Sequence, residues 1–213
     1  MSDVFYRAVV GLGSVPGWLA TQVAVLGAER VPRTGGVLLA SNHVSPMDVP
    51  VLMYTTPRRI DFVSTVEVMG VPGVGAFYRR FNTMTLDRGK VDSAAVRAIV
   101  RRLRAGRTVG MFPEGRLTPE AESVTRGGTH RPGLGRIARL AGAAVVPAVV
   151  FDSRRLTRAA AWLPLKRTRL VVAYGEPLHA RTDLPTREAQ AELEARWRAT
   201  MVALAAEAQA HRR

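Results

Sequence analysis

The chain has no cysteine among its 213 residues. That excludes a disulfide framework, a thiolate nucleophile and a cysteine-based metal site. Aromatic residues are scarce, at 6%, which leaves few platforms on which single-stranded nucleic acid could stack. Acidic residues are also few, 17 against 31 basic ones, so the formal net charge is +14. Apart from Lys90 and Lys166 the basic residues are arginines, spread from Arg7 to Arg213 and not gathered into a tail. Nucleic acid is therefore not the expected partner. A field of this sign also draws an anionic membrane surface, a phosphorylated substrate or an acidic carrier. A long apolar run free of breakers is missing too. The stretch from Ala8 to Ala28 has about the ~20 residues that a membrane-crossing helix needs, yet it contains Pro16, Gln22 and several glycines. It does not read as a secretory signal, because Asp3 stands in its start and its centre is interrupted.

What is present is a chain with 47% apolar and 23% charged residues, a balance that argues for a globular domain and against a polytopic membrane protein. We read residues 1–32 as an apolar, helical, membrane-associating segment, with two short helices hinged near Ser14 to Gly17 and lying in the interface or packed on the domain. Residues 33–213 form the main domain. From residue 36 onward short β-rich runs alternate with helical stretches, which predicts an α/β fold, a mixed β-sheet flanked by helices. Strands are expected at 37–40, 59–64, 83–86, 108–112, 144–150 and 169–173. Helices are expected at 47–54, 91–105 and 134–141, and a long closing helix from 186 to about 209. In that last helix Leu193, Trp197, Met201 and Leu204 recur at near-helical spacing, which predicts an inward packing face. The segment from Leu117 to Gly133 lacks periodicity and is rich in glycine, proline, serine and threonine, so it is read as a mobile or substrate-covering loop.

The stretch SNHVSPMD, residues 41–48, places His43 and Asp48 with four residues between them. In an unbroken helix the two side chains would diverge by about 140°. Ser45 and Pro46 offer an alternative, an N-cap and a first helical residue, so that the chain turns between the pair. Asp48 could then hold one ring nitrogen of His43 and leave the other as a general base. The competing reading makes Asp48 a capping partner and His43 an ordinary loop residue. Two more β-rich runs end in charge and glycine: FNTMTLDRG, with Asp87 and Arg88, and TVGMFPEGRLTP, with Glu114, Gly115 and Arg116. Strand ends of α/β sheets gather ligand sites, arginine clamps phosphate, and amides near Gly115 are candidate oxyanion donors.

Taken in order, these segments resemble the lysophosphatidic acid acyltransferases of the glycerol-phosphate acyltransferase superfamily. NHVSPMD is similar to the family's first motif, at Asn42, His43, Ser45 and Asp48. TLDRG is similar to the end of the second, with Arg88 implied to bind the glycerol phosphate. FPEGR, residues Phe112, Pro113, Glu114, Gly115 and Arg116, is similar to the third, the acceptor-binding segment, and VVPAVV with Pro147 to the fourth, on the acyl-chain side. The resemblance covers about residues 35–150. Two departures stand out: Thr65 where the family often has lysine, and Arg-Leu-Thr after Gly115 where many members read Thr-Arg-Ser. The resemblance implies acyl transfer from a thioester to a lysophospholipid hydroxyl, His43 and Asp48 being catalytic and the remaining motif residues binding substrate. It implies no metal and no cofactor, with acyl-coenzyme A or acyl carrier protein as co-substrate, and a peripheral or monotopic place on the cytoplasmic face of the cell membrane. The rival expectations are another hydroxyl acceptor within the superfamily, or a non-catalytic basic module that binds membrane or nucleic acid.

Overall fold

The computed structural model describes residues 6, 8, 10–12, 19–70, 83–86, 93–158 and 167–212. Seven strands form one mixed sheet: β1 (Thr21–Leu26), β2 (Val37–Ser41), β3 (Ile60–Thr65), β4 (Met84–Leu86), β5 (Thr108–Met111), β6 (Ala144–Phe151) and β7 (Thr168–Tyr174), in the spatial order β1-β7-β6-β2-β5-β3-β4. The one antiparallel pairing is β6 with β7. Every other neighbour is parallel, so β1 and β7 run against the remaining five. The helices that follow β1 among the described residues are α1 (Asp48–Thr55), α2 (Val66–Met69), α3 (Ser93–Arg104), α4 (Leu134–Ala141) and α5 (Thr186–Ala210).

Two-residue periodicity sorts the strand residues onto two cores. Leu38 and Ala40 of β2 pack with α3, α4 and α5 through Ile99, Leu103, Leu134 and Trp197. Val37 and Leu39 face the other way, against Val49, Val51 and Leu52 of α1. Near-continuous Val/Leu/Ala runs such as β6, buried along its whole length, are what a strand covered on both faces requires. Pro147 is tolerated inside β6 because its side of the ladder is already interrupted. Its carbonyl accepts from Gly175 N–H at 2.9 Å, and pairing resumes only at Val145 with Leu178. The stripe Leu193, Trp197, Met201 and Leu204 of α5 is buried as expected.

The N-terminal expectation needs correction. The second helix expected within 4–29 is instead strand β1 over Thr21–Leu26, paired in parallel with β7 from Thr21↔Thr168 to Leu26↔Ala173. Alternating β-branched Thr21, Val23 and Val25 suit an edge strand, and the sheet therefore reaches back across the boundary drawn at residue 32. Helical backbone is described at residues 6, 8, 10–12, 19 and 20, and Tyr6 is buried with its hydroxyl 3.4 Å from the Ile60 N–H. Among the described residues no helix is long and apolar enough to cross a membrane.

Candidate active site

β2, β5 and β6 are mutually parallel, so their carboxyl ends open onto one edge of the sheet. Asn42 closes β2. Its side-chain amide donates to Val150 O at 3.1 Å and accepts from Val150 N–H at 2.9 Å, extending the ladder to β6 for one residue after the backbone has left it. The chain then turns, and His43 and Asp48 meet: Nδ1 lies 3.0 Å from Oδ2. The same oxygen accepts the amides of Val44 and Ser45, both at 2.9 Å. An oxygen receiving two N–H donors has no proton to offer, so Nδ1 carries the hydrogen, and in the neutral ring the lone pair is on Nε2. Nε2 has no protein partner among the described residues, and the side chain is 18% exposed while Asp48 is 0% exposed.

Ser45 works one step earlier than expected. Helix α1 starts at Asp48 with Met47 as its cap residue, and Pro46 lies in the preceding turn. The Ser45 hydroxyl accepts the Met47 N–H at 3.1 Å and the Ser45 carbonyl accepts the Asp48 N–H at 3.1 Å. These two bonds make the turn that swings Asp48 back towards His43.

The β5 end supports the histidine from three sides. The Phe112 ring stacks on the imidazole with centroids 3.9 Å apart and planes 14° from parallel. Glu114 accepts His43 N–H at 2.8 Å through Oε2, while Oε1 accepts Ser123 Oγ–H at 2.7 Å and Val124 N–H at 2.9 Å. The Thr118 N–H donates to His43 O at 2.7 Å. Pro113 leaves its carbonyl to the Arg131 N–H at 2.8 Å. The Gly115 amide donates to Phe112 O at 2.9 Å. Gly115 has φ of 71°, a region that favours glycine, and a Cβ there would lie 2.7 Å from Cδ of Arg131.

Segment 117–133, expected as a mobile or covering loop, is anchored. Ser123, Val124 and Thr125 are buried, and single 3₁₀ turns span Glu120–Glu122 and Val124–Arg126. Its far end is tied to α5 by Glu194, which accepts Gly133 N–H and Gly135 N–H at 2.9 Å and lies 3.3 Å from His130 Nε2. Burial pushes the Glu194 carboxyl up, but the bonds from His130 and the amides of Gly135 and Gly133 outweigh it and leave it below the usual carboxylate range. An open pocket of about 430 Å³ lies along this segment, with Arg116, Thr118, His130 and Arg131 in its walls. The exposed guanidinium of Arg116 pairs with Glu122 at 3.1 Å. Strand β4 ends at Leu86 beside β3; Asp87 and Arg88 lie outside the described residues.

Sequence reasoning passed over three polar residues that the structure brings in. Ser123 and Ser153 are both 0% exposed, and the Ser153 hydroxyl donates to Asp48 Oδ1. The third is Glu194. For Ser153 a signal existed, since Asp152-Ser153 follows the third apolar run just as Asn42-His43 follows the first.

A family model described as Acyltransferase matches residues 22–151. A 1-acyl-sn-glycerol-3-phosphate acyltransferase of Borreliella burgdorferi is 25% identical over 159 residues, 72% of this chain and 60% of that one. The chain thus spans less than two thirds of that relative's length. One of the same name from Bacillus subtilis is 26% identical over 78% of this chain and 79% of its own. The crystal structure of the 1-acyl-sn-glycerophosphate (LPA) acyltransferase PlsC from Thermotoga maritima shares the fold, with a TM-score of 0.70 at 22% identity over 92% of this chain and 78% of that one. With more than half of its length matched by the family model, the chain belongs to the acyltransferase family.

Proposed function

We propose that the protein moves a fatty acyl group from an acyl thioester to the free hydroxyl of a lysophospholipid, 1-acyl-sn-glycerol-3-phosphate, giving phosphatidic acid. One observation carries the reading: Nδ1 of His43 bonds a fully buried carboxylate at 3.0 Å, while Nε2 has no protein partner among the described residues. An imidazole so held is a general base with a fixed tautomer. His43 Nε2 takes the proton of the acceptor hydroxyl as its oxygen attacks the thioester carbonyl. The C–S bond then breaks, and the departing thiolate recovers the proton from the imidazolium. Asp48 bonds Nδ1–H throughout and stabilises the charge that forms on the ring.

No covalent acyl-enzyme is needed. Ser45, the nearest hydroxyl in the motif, is committed to the Met47 amide and to Ser153 O at 3.3 Å. Arg116 and Arg131, in the wall of the pocket beside Glu114, are the groups suited to the acceptor's phosphate. Arg88 keeps the role that the resemblance implies. The names of the two relatives support this acceptor. A different hydroxyl acceptor is the second reading, favoured by Arg116, which pairs with Glu122 instead of standing free. The donor is acyl-coenzyme A or an acidic acyl carrier protein, and the place of action is the cytoplasmic surface of the membrane, where a +14 chain meets anionic lipid.

The test is thiol release from oleoyl- and palmitoyl-coenzyme A, and from the matching carrier-protein thioesters, with and without 1-acyl-sn-glycerol-3-phosphate. Release is expected to depend on the acceptor and to vanish in His43→Ala and Asp48→Asn while both variants stay folded. Turnover retained in clean His43→Ala protein would sink the mechanism. Release only with another lysolipid would select the second reading.

A further inference from the structure

We propose that Ser153 is a positioning residue of this reaction, the hydroxyl that holds Asp48 in place behind His43. The inference rests on the proposed role of His43 as base. Asp48 is 0% exposed, and its two oxygens are divided between tasks. Oδ2 takes His43 Nδ1–H and the amides of Val44 and Ser45. Oδ1 takes the hydroxyl of Ser153, the sole group to reach it among the described residues. A buried carboxylate with one oxygen unserved is costly and would turn towards any other donor. The Ser153 hydroxyl removes that freedom and draws charge towards Oδ1, away from the oxygen that faces the imidazole.

The fold goes to some length to place this one hydroxyl. β6 ends at Phe151, and the chain must reverse its side-chain direction at once to turn residue 153 towards Asp48. Asp152 makes the reversal with φ of 64° and ψ of 4°. It is the only non-glycine residue at positive φ among those described. Such conformations persist where the surroundings over-determine them, and they cluster at functional sites. Here the surroundings are two arginines: Arg155 Nε lies 3.3 Å from Asp152 Oδ1, and Arg212 Nε, just beyond the end of α5, lies 2.7 Å from Oδ2. The Ser153 carbonyl in turn accepts the Ser45 hydroxyl at 3.3 Å, so the β6 turn and the motif turn brace one another. A serine needed only for packing would not have its hydroxyl aimed at a catalytic carboxylate and its carbonyl at the turn that presents it.

The experiment compares Ser153→Ala, Ser153→Thr and Ser153→Val, of which the last two have the same shape and differ in the hydroxyl. Two readouts are taken: kcat and KM by thiol release, and NMR titration of the His43 imidazole without substrate, assigned against His43→Ala among the four histidines. In Ser153→Ala and Ser153→Val, kcat should fall about tenfold, a part of the roughly 10²–10⁴-fold that general-base assistance contributes, with KM for the acceptor unchanged. The His43 titration should move to higher pH, because Asp48 without its second donor concentrates charge on the imidazolium side. Ser153→Thr should regain both. Equal kcat and equal titration in the threonine and valine variants would overturn the proposal, and so would a fall in kcat with no movement of the titration. Should Ser153→Ala fail to fold, the threonine and valine pair decides. Should the wild type release no thiol, the proposed reaction fails, while the titration still reports on Ser153 by itself.

Discussion

At the scale of single residues, Glu114 links the base to the segment carrying the pocket. It is 6% exposed, and its two oxygens accept from His43 N–H, Ser123 Oγ–H and Val124 N–H. Both oxygens are thus committed within the protein, and Glu114 still lines the pocket together with Arg116 and Arg131. Glu114→Ala would leave three donors without partners, two of them buried and each of those worth about 1–3 kcal/mol when orphaned. It should lower the denaturation midpoint and reduce kcat together, since the backbone of His43 loses one of its two ties. Glu114→Gln keeps one acceptor oxygen but sets an amide N–H₂ against a donor on the other side, so it should recover only part of either loss. Urea unfolding and thiol release on the same preparations check this; wild-type kcat in a folded Glu114→Ala variant would refute it.

At the scale of elements, β2, β5 and β6 were legible because each is an apolar run closed by polar residues, and burial on both faces of a parallel sheet demands such a run. α5 was legible from the spacing of Leu193, Trp197, Met201 and Leu204. β1 was not, because TQVAVL sits inside a longer apolar stretch whose hydropathy suits a helix equally well, and only β7, far along the chain, makes it a strand. The pairing of His43 with Asp48 could be anticipated from Ser45 and Pro46, but Ser123 and Glu194 could not be ranked above other polar residues, since their meaning lies in what they face. Glu194 shows this best. From α5 it caps the start of α4 through the amides of Gly133 and Gly135 and bonds His130, so a helix distant in sequence fixes the end of the pocket segment. Glu194→Ala should cost about 1 kcal/mol, the usual worth of a helix N-cap, and should speed amide exchange in residues 117–135. Because the folded carboxyl titrates below its ordinary value, its contribution is present above the unfolded carboxyl's pKa and disappears as the pH falls through the folded one. Melting curves from neutral pH down to about pH 3, a range that crosses the unfolded glutamate's titration near ~4.3, should show a smaller acid-induced loss in the variant than in the wild type; identical losses would count against the anchor.

At the scale of the whole molecule, charge is uneven. α3 and α4 carry Arg97, Arg101, Arg102, Arg104, Arg136 and Arg139 and no acidic residue, while α5, packed on the same side of the sheet, mixes both signs. With a net +14, binding to vesicles rich in anionic lipid should be strong at about 0.1 M salt and much weaker at about 1 M, as the screening length falls from ~10 to ~3 Å. Co-sedimentation with anionic and with neutral vesicles checks this. Binding indifferent to salt would assign attachment to the apolar N-terminal region in place of the arginines. The sheet also has a temporal consequence. Among the described residues β1 is paired with β7, Thr21 with Thr168, so β1 leaves the ribosome long before that neighbour exists. At synthesis rates of about 5–20 residues per second, Thr21–Leu26 waits on the order of 10 s as an unmatched β-branched ribbon, open to chaperones and to other nascent copies before the enzyme's own last strand arrives to cover it.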